Sequence, residues 1–402
     1  MLAQAQQGVP SRFADEQAEP VGTRFRGVRH TGTDAIRYNN QVLQAMTWDD
    51  GNGHVYLSWA LINPAPGGPY PVTAKAAFNP PAGQITPLRG QLSDPDVVLA
   101  LDPATEQLYA NLVYVDGRQV QYAGYRWNGN GFDPTADFSV PVGDPAYRHE
   151  YPNIDANDKG LVALTWQQSI DDDVTINVSS GGMLFPTYSF VQHISFGRTY
   201  LAMSDIRGRI QPCTKNANGT VGILALDPPT GLFEQTLHPD IAISDGDATS
   251  AVVSSTFVRH YVDGNGLFSI VNRLAVRQYH YRCGGDKAAL DTVATHDWEY
   301  SQNNVIGTPR IAAPGSKMNE TDDVEIVIDR SRYDCSSTGE HRILNYSKTR
   351  GAFRPVPTLL NPNYTDHESV EPVVAYFPDE SQYVVSWTGD NLITTLLRCT
   401  QQ

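Results

Sequence analysis

Basic charge, cysteine and long apolar runs are all scarce in this chain. Its 402 residues carry 29 Lys and Arg against 44 Asp and Glu, a formal net charge of −15. That balance excludes general affinity for nucleic acid or anionic membranes, which recruit basic surface. No stretch approaches the ~20 apolar residues of a membrane-spanning helix. The opening Met1-Leu-Ala-Gln-Ala-Gln-Gln has neither the basic nor the apolar part of a secretory signal, so it reads as a mature or recombinant start. Residues 1–20 are expected to form a flexible polar lead, and residues 21–402 a single domain. Only four cysteines occur, Cys213, Cys283, Cys335 and Cys399, at spacings that match no zinc motif. They admit two disulfides, or one and two thiols. With sequons at Asn177, Asn218, Asn319, Asn345 and Asn363, they favour a secreted, cell-surface or periplasmic protein.

What is present is a recurring unit. A proline step opens a short apolar strand, a Gly/Asp turn follows, and a second apolar strand comes next. The unit appears at Asp94-Pro-Asp-Val-Val-Leu, Tyr151-Pro-Asn-Ile-Asp-Ala, His238-Pro-Asp-Ile-Ala-Ile, Thr308-Pro-Arg-Ile-Ala and Glu371-Pro-Val-Val-Ala. Self-similarity at spacings of roughly 50–70 residues marks a repeat architecture whose units cannot bury their faces alone. A β-propeller meets that need, with four-stranded sheets arranged around a channel. The 33 glycines and 27 prolines, dispersed at turns, fit many short strands.

The strand rhythm predicts an all-β, seven-bladed propeller, with six blades as the alternative. The blades begin near residues 41, 96, 153, 199, 240, 309 and 371. The last has three strands of its own, and Thr23-Arg-Phe-Arg-Gly-Val-Arg-His is expected to close it as an outer strand, removing two open edges. Trp59, Trp166 and Trp387, each at the end of a second strand, are expected to pack between blades.

Several chemistries are missing. There is no P-loop, dinucleotide fingerprint, zinc-protease HExxH or Gly-x-Ser-x-Gly elbow. The Asp-box Ser-x-Asp-x-Gly-x-Thr-Trp is absent, as are the Gly-His and Trp-Asp pairs of WD40 repeats. Acidic clusters at Asp49-Asp-Gly-Asn-Gly, Asp155-Ala-Asn-Asp-Lys-Gly, Asp171-Asp-Asp and Asp245-Gly-Asp invite calcium, which prefers oxygen ligands. None has EF-hand spacing, and tight turns use the same residues. No cofactor or catalytic metal is therefore expected, and a structural Ca²⁺ is the one ion these clusters suggest.

A propeller gathers the residues just before each inner strand around its channel mouth. Read that way, the mouth holds Arg37, Tyr38 and Asn39; Asp94; Arg148, His149, Glu150 and Tyr151; Arg198 and Tyr200; His238; Asn304 and Arg310; and Asp366, His367 and Glu368. Loops on the same face add Arg259, His260, Tyr261, Arg330, Arg332 and Tyr333. His149, Tyr151, Arg198, Tyr200, His238 and His367 are the catalytic candidates, with His149 leading because it sits in the densest cluster. Arg148, Glu150, Arg259, His260 and Arg310 are the substrate-binding candidates. Arginine holds a uronate carboxylate bidentately, while His and Tyr move protons near neutral pH. That set suits a lyase on a uronate-containing glycan. Hydrolysis would require a carboxylate pair, such as Glu150 with Glu368 or Asp94.

Tyr151-Pro-Asn-Ile-Asp-Ala-Asn-Asp-Lys-Gly-Leu-Val-Ala-Leu-Thr-Trp, preceded by His149, resembles the blades of secreted BNR/sialidase-like propellers. That group includes ulvan lyases and rhamnose–glucuronate-cleaving enzymes. The resemblance covers the blade rhythm and implies a His/Tyr/Arg centre acting on an anionic polysaccharide or other glycan. The second-strand histidine of several such enzymes is missing after Thr165-Trp-Gln-Gln. The alternative is a non-catalytic glycan- or protein-binding propeller: a lectin, adhesin or surface scaffold. A monomer is expected in either case.

Overall fold

The apolar run after each proline step becomes the innermost strand of a sheet, and the chain then meanders outward. In the computed structural model the described residues are 29–39, 41–49, 52–62, 83–85, 92–142, 146–178, 188–208, 224–226, 235–244, 246–262, 270–284, 287–299, 304–306, 309–313, 324–332, 340–347, 352–359, 372–377, 382–388 and 392–395. Blade 1 comprises β1 (Arg29–Tyr38), β2 (Gln41–Asp49), β3 (Val55–Ile62) and β4 (Gly83–Ile85). Blade 2 comprises β5 (Leu92–Leu101), β6 (Leu108–Asp116), β7 (Gln119–Trp127) and β8 (Phe132–Val142). Blade 3 comprises β9 (Arg148–Ala156), β10 (Leu161–Val178), β11 (Tyr188–Asp205) and β12 (Leu224–Ala225). Blade 4 comprises β13 (Gln235–Ser244), β14 (Ser250–Val262), β15 (Ile270–Gly284) and β16 (Lys287–Glu299). The fifth sheet holds β17 (Asn304–Ile306), β18 (Arg310–Ala312), β19 (Val324–Arg332), β20 (Glu340–Ser347) and β21 (Ala352–Leu359). The sixth holds β22 (Pro372–Phe377), β23 (Gln382–Thr388) and β24 (Leu392–Thr395).

The pairing within each sheet is antiparallel. Inner strands pack in sequence, β1 on β5, β5 on β9, β9 on β13, β13 on β18 and β18 on β22, and β22 returns to β1. A closed ring of radial sheets is a β-propeller.

Among the described residues the sheets number six, not seven. The expected third and fourth blades are one sheet. The 18-residue strands β10 and β11 pair without a break from Leu161↔Asp205 to Val178↔Tyr188. Residues 169–178 continue one strand, where the sequence rhythm predicts a break over residues 169–173 between two strands. The N-terminal closure also changes: Arg29–Tyr38 is the inner strand of blade 1, paired to β2. Residues 23–28 lie outside the described residues.

Apolar faces meet between blades, as two-sided burial of each sheet requires. Between blades 1 and 2 lie Leu43, Val55, Leu57, Val97, Leu99, Leu112 and Trp127, with Trp59 set edge-on to Trp127 and Phe132. Between blades 2 and 3 lie Val98, Tyr122, Ile154, Leu164 and the fully buried Trp166. Between blades 3 and 4 lie Leu161, Leu201, Met203, Ile243 and Val253. Trp59 and Trp166 therefore take the inter-blade places expected of them; the side chain of Trp387 is not among those described. Cys283 on β15 is disulfide-bonded, and the other three cysteines lie outside the described residues. Among the described residues no helix is long and apolar enough to cross a membrane.

Candidate functional site

Two ends of the channel can be told apart. At the mouth, the starts of inner strands meet turns from the preceding blade: Leu92 N–H donates to the Gly53 carbonyl (3.1 Å) and His149 N–H to the Arg118 carbonyl (3.2 Å). At the opposite end, Asn157 donates to the Asp247 carbonyl (3.2 Å) and Asp102 pairs with Arg207. Because β1 is an inner strand, Arg37 and Tyr38 fall at its far end and Asn39 in the turn to β2, away from the mouth.

The mouth is marked by a repeated backbone feature. Asp94, Tyr151 and His238, each preceding a proline, have φ of 49°, 51° and 51°. Each sits at a bulge in the pairing of its inner strand. Non-glycine residues seldom adopt positive φ, and each such residue costs on the order of 1–3 kcal/mol. On adjacent blades, the Tyr151 and His238 rings lie 4.2 Å apart between centroids, tilted by 53°, and both residues are half-buried. Asp94 N–H donates to Asp49 (3.1 Å), and Ser93 Oγ donates to the Asp94 carboxylate (3.2 Å).

Blade 3 braces this pair. Gln167 Oε1 accepts the His238 N–H (3.1 Å), while Gln167 Nε2 donates to Glu150 (3.3 Å). Glu150 also accepts from Ser169 (3.1 Å) and pairs with the exposed Arg148 (2.5 Å). Asn153 Nδ2 donates to the carbonyls of Tyr151 (3.1 Å) and Pro239 (2.5 Å).

Other candidates fall elsewhere. His149 is 1% exposed, with Nδ1 against the Arg118 carbonyl (2.7 Å) and its ring edge-on to Trp166. It belongs to the packing between blades 2 and 3 rather than to the mouth surface. Arg198 and Tyr200 open no blade; they lie on β11, in register with Gln168 and Trp166. Since His149 also pairs with Gln168, Arg198 stands two strands away, about 10 Å across the sheet. Burial lowers the Arg198 pKa, against the opposing pull of Tyr200, and burial raises that of Tyr200. Arg259 is tied to Asp297 (3.0 Å), which also holds the buried Arg277 (2.6 Å). For His260 only the backbone on β14 is described, and His367 lies outside the described residues.

Arg310 is not a mouth residue. It is buried on the channel-lining β18, 3.9 Å from Asp240. There it joins four carboxylates, of which sequence reading singles out Asp155 alone, and that as part of a calcium-type cluster. Each accepts the N–H of the next residue on its own strand and an N–H from the next blade: Asp34 from Leu99 (2.7 Å), Asp96 from Ile154 (3.0 Å), Asp155 from Ile243 (2.7 Å) and Asp240 from Ile311 (2.7 Å). These are inner-edge amides that would otherwise lack a partner. Burial pushes the carboxyl pKa of Asp34 and of Asp96 up to about 7 and that of Asp240 up to about 6, and raises Asp155 as well. The only signal in sequence was an aspartate recurring inside apolar inner strands.

Among the described residues no group of three or more His, Cys, Asp or Glu is arranged to hold a metal ion. Two of the acidic clusters serve as turns: Asn157 accepts from the N–H groups of Lys159 and Leu161 (both 3.0 Å), and Asp247 from those of Thr249 and Ser250 (2.6 and 2.8 Å).

No protein-family model matches the chain, and no curated protein matches it. Solved structures similar to it include an α-L-arabinanase from Penicillium chrysogenum complexed with arabinobiose, at 8% identity, covering 93% of this chain and 96% of that one with a TM-score of 0.47. An α-L-arabinofuranosidase from Fusarium graminearum shows 8% identity, covers 93% and 98%, and has a TM-score of 0.49. A fucose-specific lectin from Aleuria aurantia shows 10% identity, covers 91% and 89%, and has a TM-score of 0.43. The propeller assignment rests on the six sheets and their closed inner ring.

Proposed function

We propose that this is an extracytoplasmic lyase acting on a uronate-containing polysaccharide at the channel mouth, with Tyr151 and His238 as its proton-transfer pair. The observation that carries the reading is the contact of those two rings, from adjacent blades, both on strained pre-proline backbone. Neutral His238 takes the proton from C5 of the uronate, and the Tyr151 phenol gives a proton to the leaving glycosidic oxygen. The C4–O bond breaks as the C4=C5 double bond forms, so no water is consumed. The exposed Arg148, the one arginine of β9, is our candidate to hold the uronate carboxylate, whose neutralisation makes the C5 proton removable. Glu150, already engaged by Arg148, Gln167 and Ser169, is poorly placed to serve as one of a hydrolytic carboxylate pair.

The test is a panel of ulvan-like, gum-arabic-type and pectic polysaccharides, read by the ultraviolet absorbance of the unsaturated uronide and by reducing ends. The expected result is rising absorbance, lowered by about 10²–10⁴-fold in Tyr151→Phe and in His238→Ala. Reducing ends without absorbance would replace elimination by hydrolysis. Binding without turnover would make the protein a glycan-binding propeller, and neither binding nor turnover would overturn the reading.

A further inference from the structure

We infer that Asn153 and Gln167 are positioning residues that set the Tyr151–His238 contact; the inference rests on the reading of that pair as the functional centre. The two rings come from different blades, so their separation depends on the boundary between blades 3 and 4. Both amides span that boundary at the backbone of the pair. Gln167 holds the His238 N–H, and Asn153 ties the Tyr151 carbonyl to the carbonyl of Pro239, the residue after His238.

The repeat shows why an amide is required. Asn153 occupies the position after the proline that Asp96 fills in blade 2 and Asp240 in blade 4. Those carboxylates accept N–H groups from the next blade. At Asn153 both neighbours are carbonyl oxygens, so the side chain must donate, and an ionised carboxylate there would face two acceptors. Blade 3 thus departs from its neighbours at the boundary where the rings meet. The strained backbone of Tyr151 and His238 would relax if released, and these hydrogen bonds oppose that relaxation.

The test uses the full chain with isotope-labelled histidine and tyrosine, and reads through-space NMR contact between the two rings. Asn153→Asp and Gln167→Leu are the variants. Asn157→Ala is the control, because it removes hydrogen bonds at the opposite end of the channel. Both variants should lose the ring contact and lower kcat by up to about 10²-fold with a smaller change in KM, the signature of misplaced groups. The control should keep contact and turnover even where its thermal stability falls as far. Persistence of the ring contact in both variants, or its equal loss in Asn157→Ala, would overturn the inference. Lost contact in the variants of a protein that turns over no polysaccharide would support the positioning role and remove the lyase reading.

Discussion

Raising the pH from about 5 to about 8 should weaken this fold, and the four channel carboxylates supply the magnitude. In the unfolded chain Asp34 ionises near 3.8; in the folded protein burial, with the charge of Asp96 adding to it, lifts that to about 7 against the pull of the Leu99 and Ala35 N–H groups. The folded state therefore holds a proton that the unfolded state has already lost. Stability from this group is complete below 3.8 and is lost as the pH rises through 7. At about 1.4 kcal/mol per pH unit, falling off as the folded carboxyl itself begins to ionise, Asp34 alone removes about 2 kcal/mol between about pH 5 and about pH 7. Asp96 and Asp240, which face one another and Arg310, act in the same direction and titrate jointly, as does Asp155 beside Asp34 and Asp240. Urea unfolding across this range reads the slope. In Asp34→Asn the side chain keeps an oxygen for one of its two N–H donors but cannot ionise, so the slope should shrink by about 1.4 kcal/mol per pH unit. Wild-type stability that stays flat or rises over this range would refute the argument, as would an unchanged slope in Asp34→Asn.

Two further outcomes follow from packing. In Gly197→Ala the new methyl group would press on the Leu237 side chain and lie 3.1 Å from the Thr236 carbonyl, which cannot move without shifting β13. Chemical denaturation should show a loss of about 1–3 kcal/mol. Asp297→Asn removes the carboxylate shared by Arg259 and the 4%-exposed Arg277, and should destabilise by about 3 kcal/mol in the same assay. The double change Arg277→Met with Asp297→Leu should recover most of that loss.

The sequence alone determined the parts that are local. Proline steps with alternating apolar residues marked most inner strands, since proline position and side-chain period act within a few residues. It was likewise enough to place Trp59 and Trp166 between blades and Tyr151 and His238 at inner-strand starts. Tertiary structure decided the rest. Whether Ser169–Val178 turns or runs on depends on a partner strand found across a hairpin, so the sequence reading split one sheet in two. The number of sheets in the ring is set by closure of β22 on β1, which no single unit encodes. Full burial of His149 beside half-burial of Tyr151 turns on a bulge, where one extra residue reverses the faces that follow. The channel aspartates look like strays in sequence; they become inter-blade clasps because inner-strand edges open N–H groups toward them. Each of these outcomes is a long-range pairing, and its energy exists only once distant segments of the chain have met.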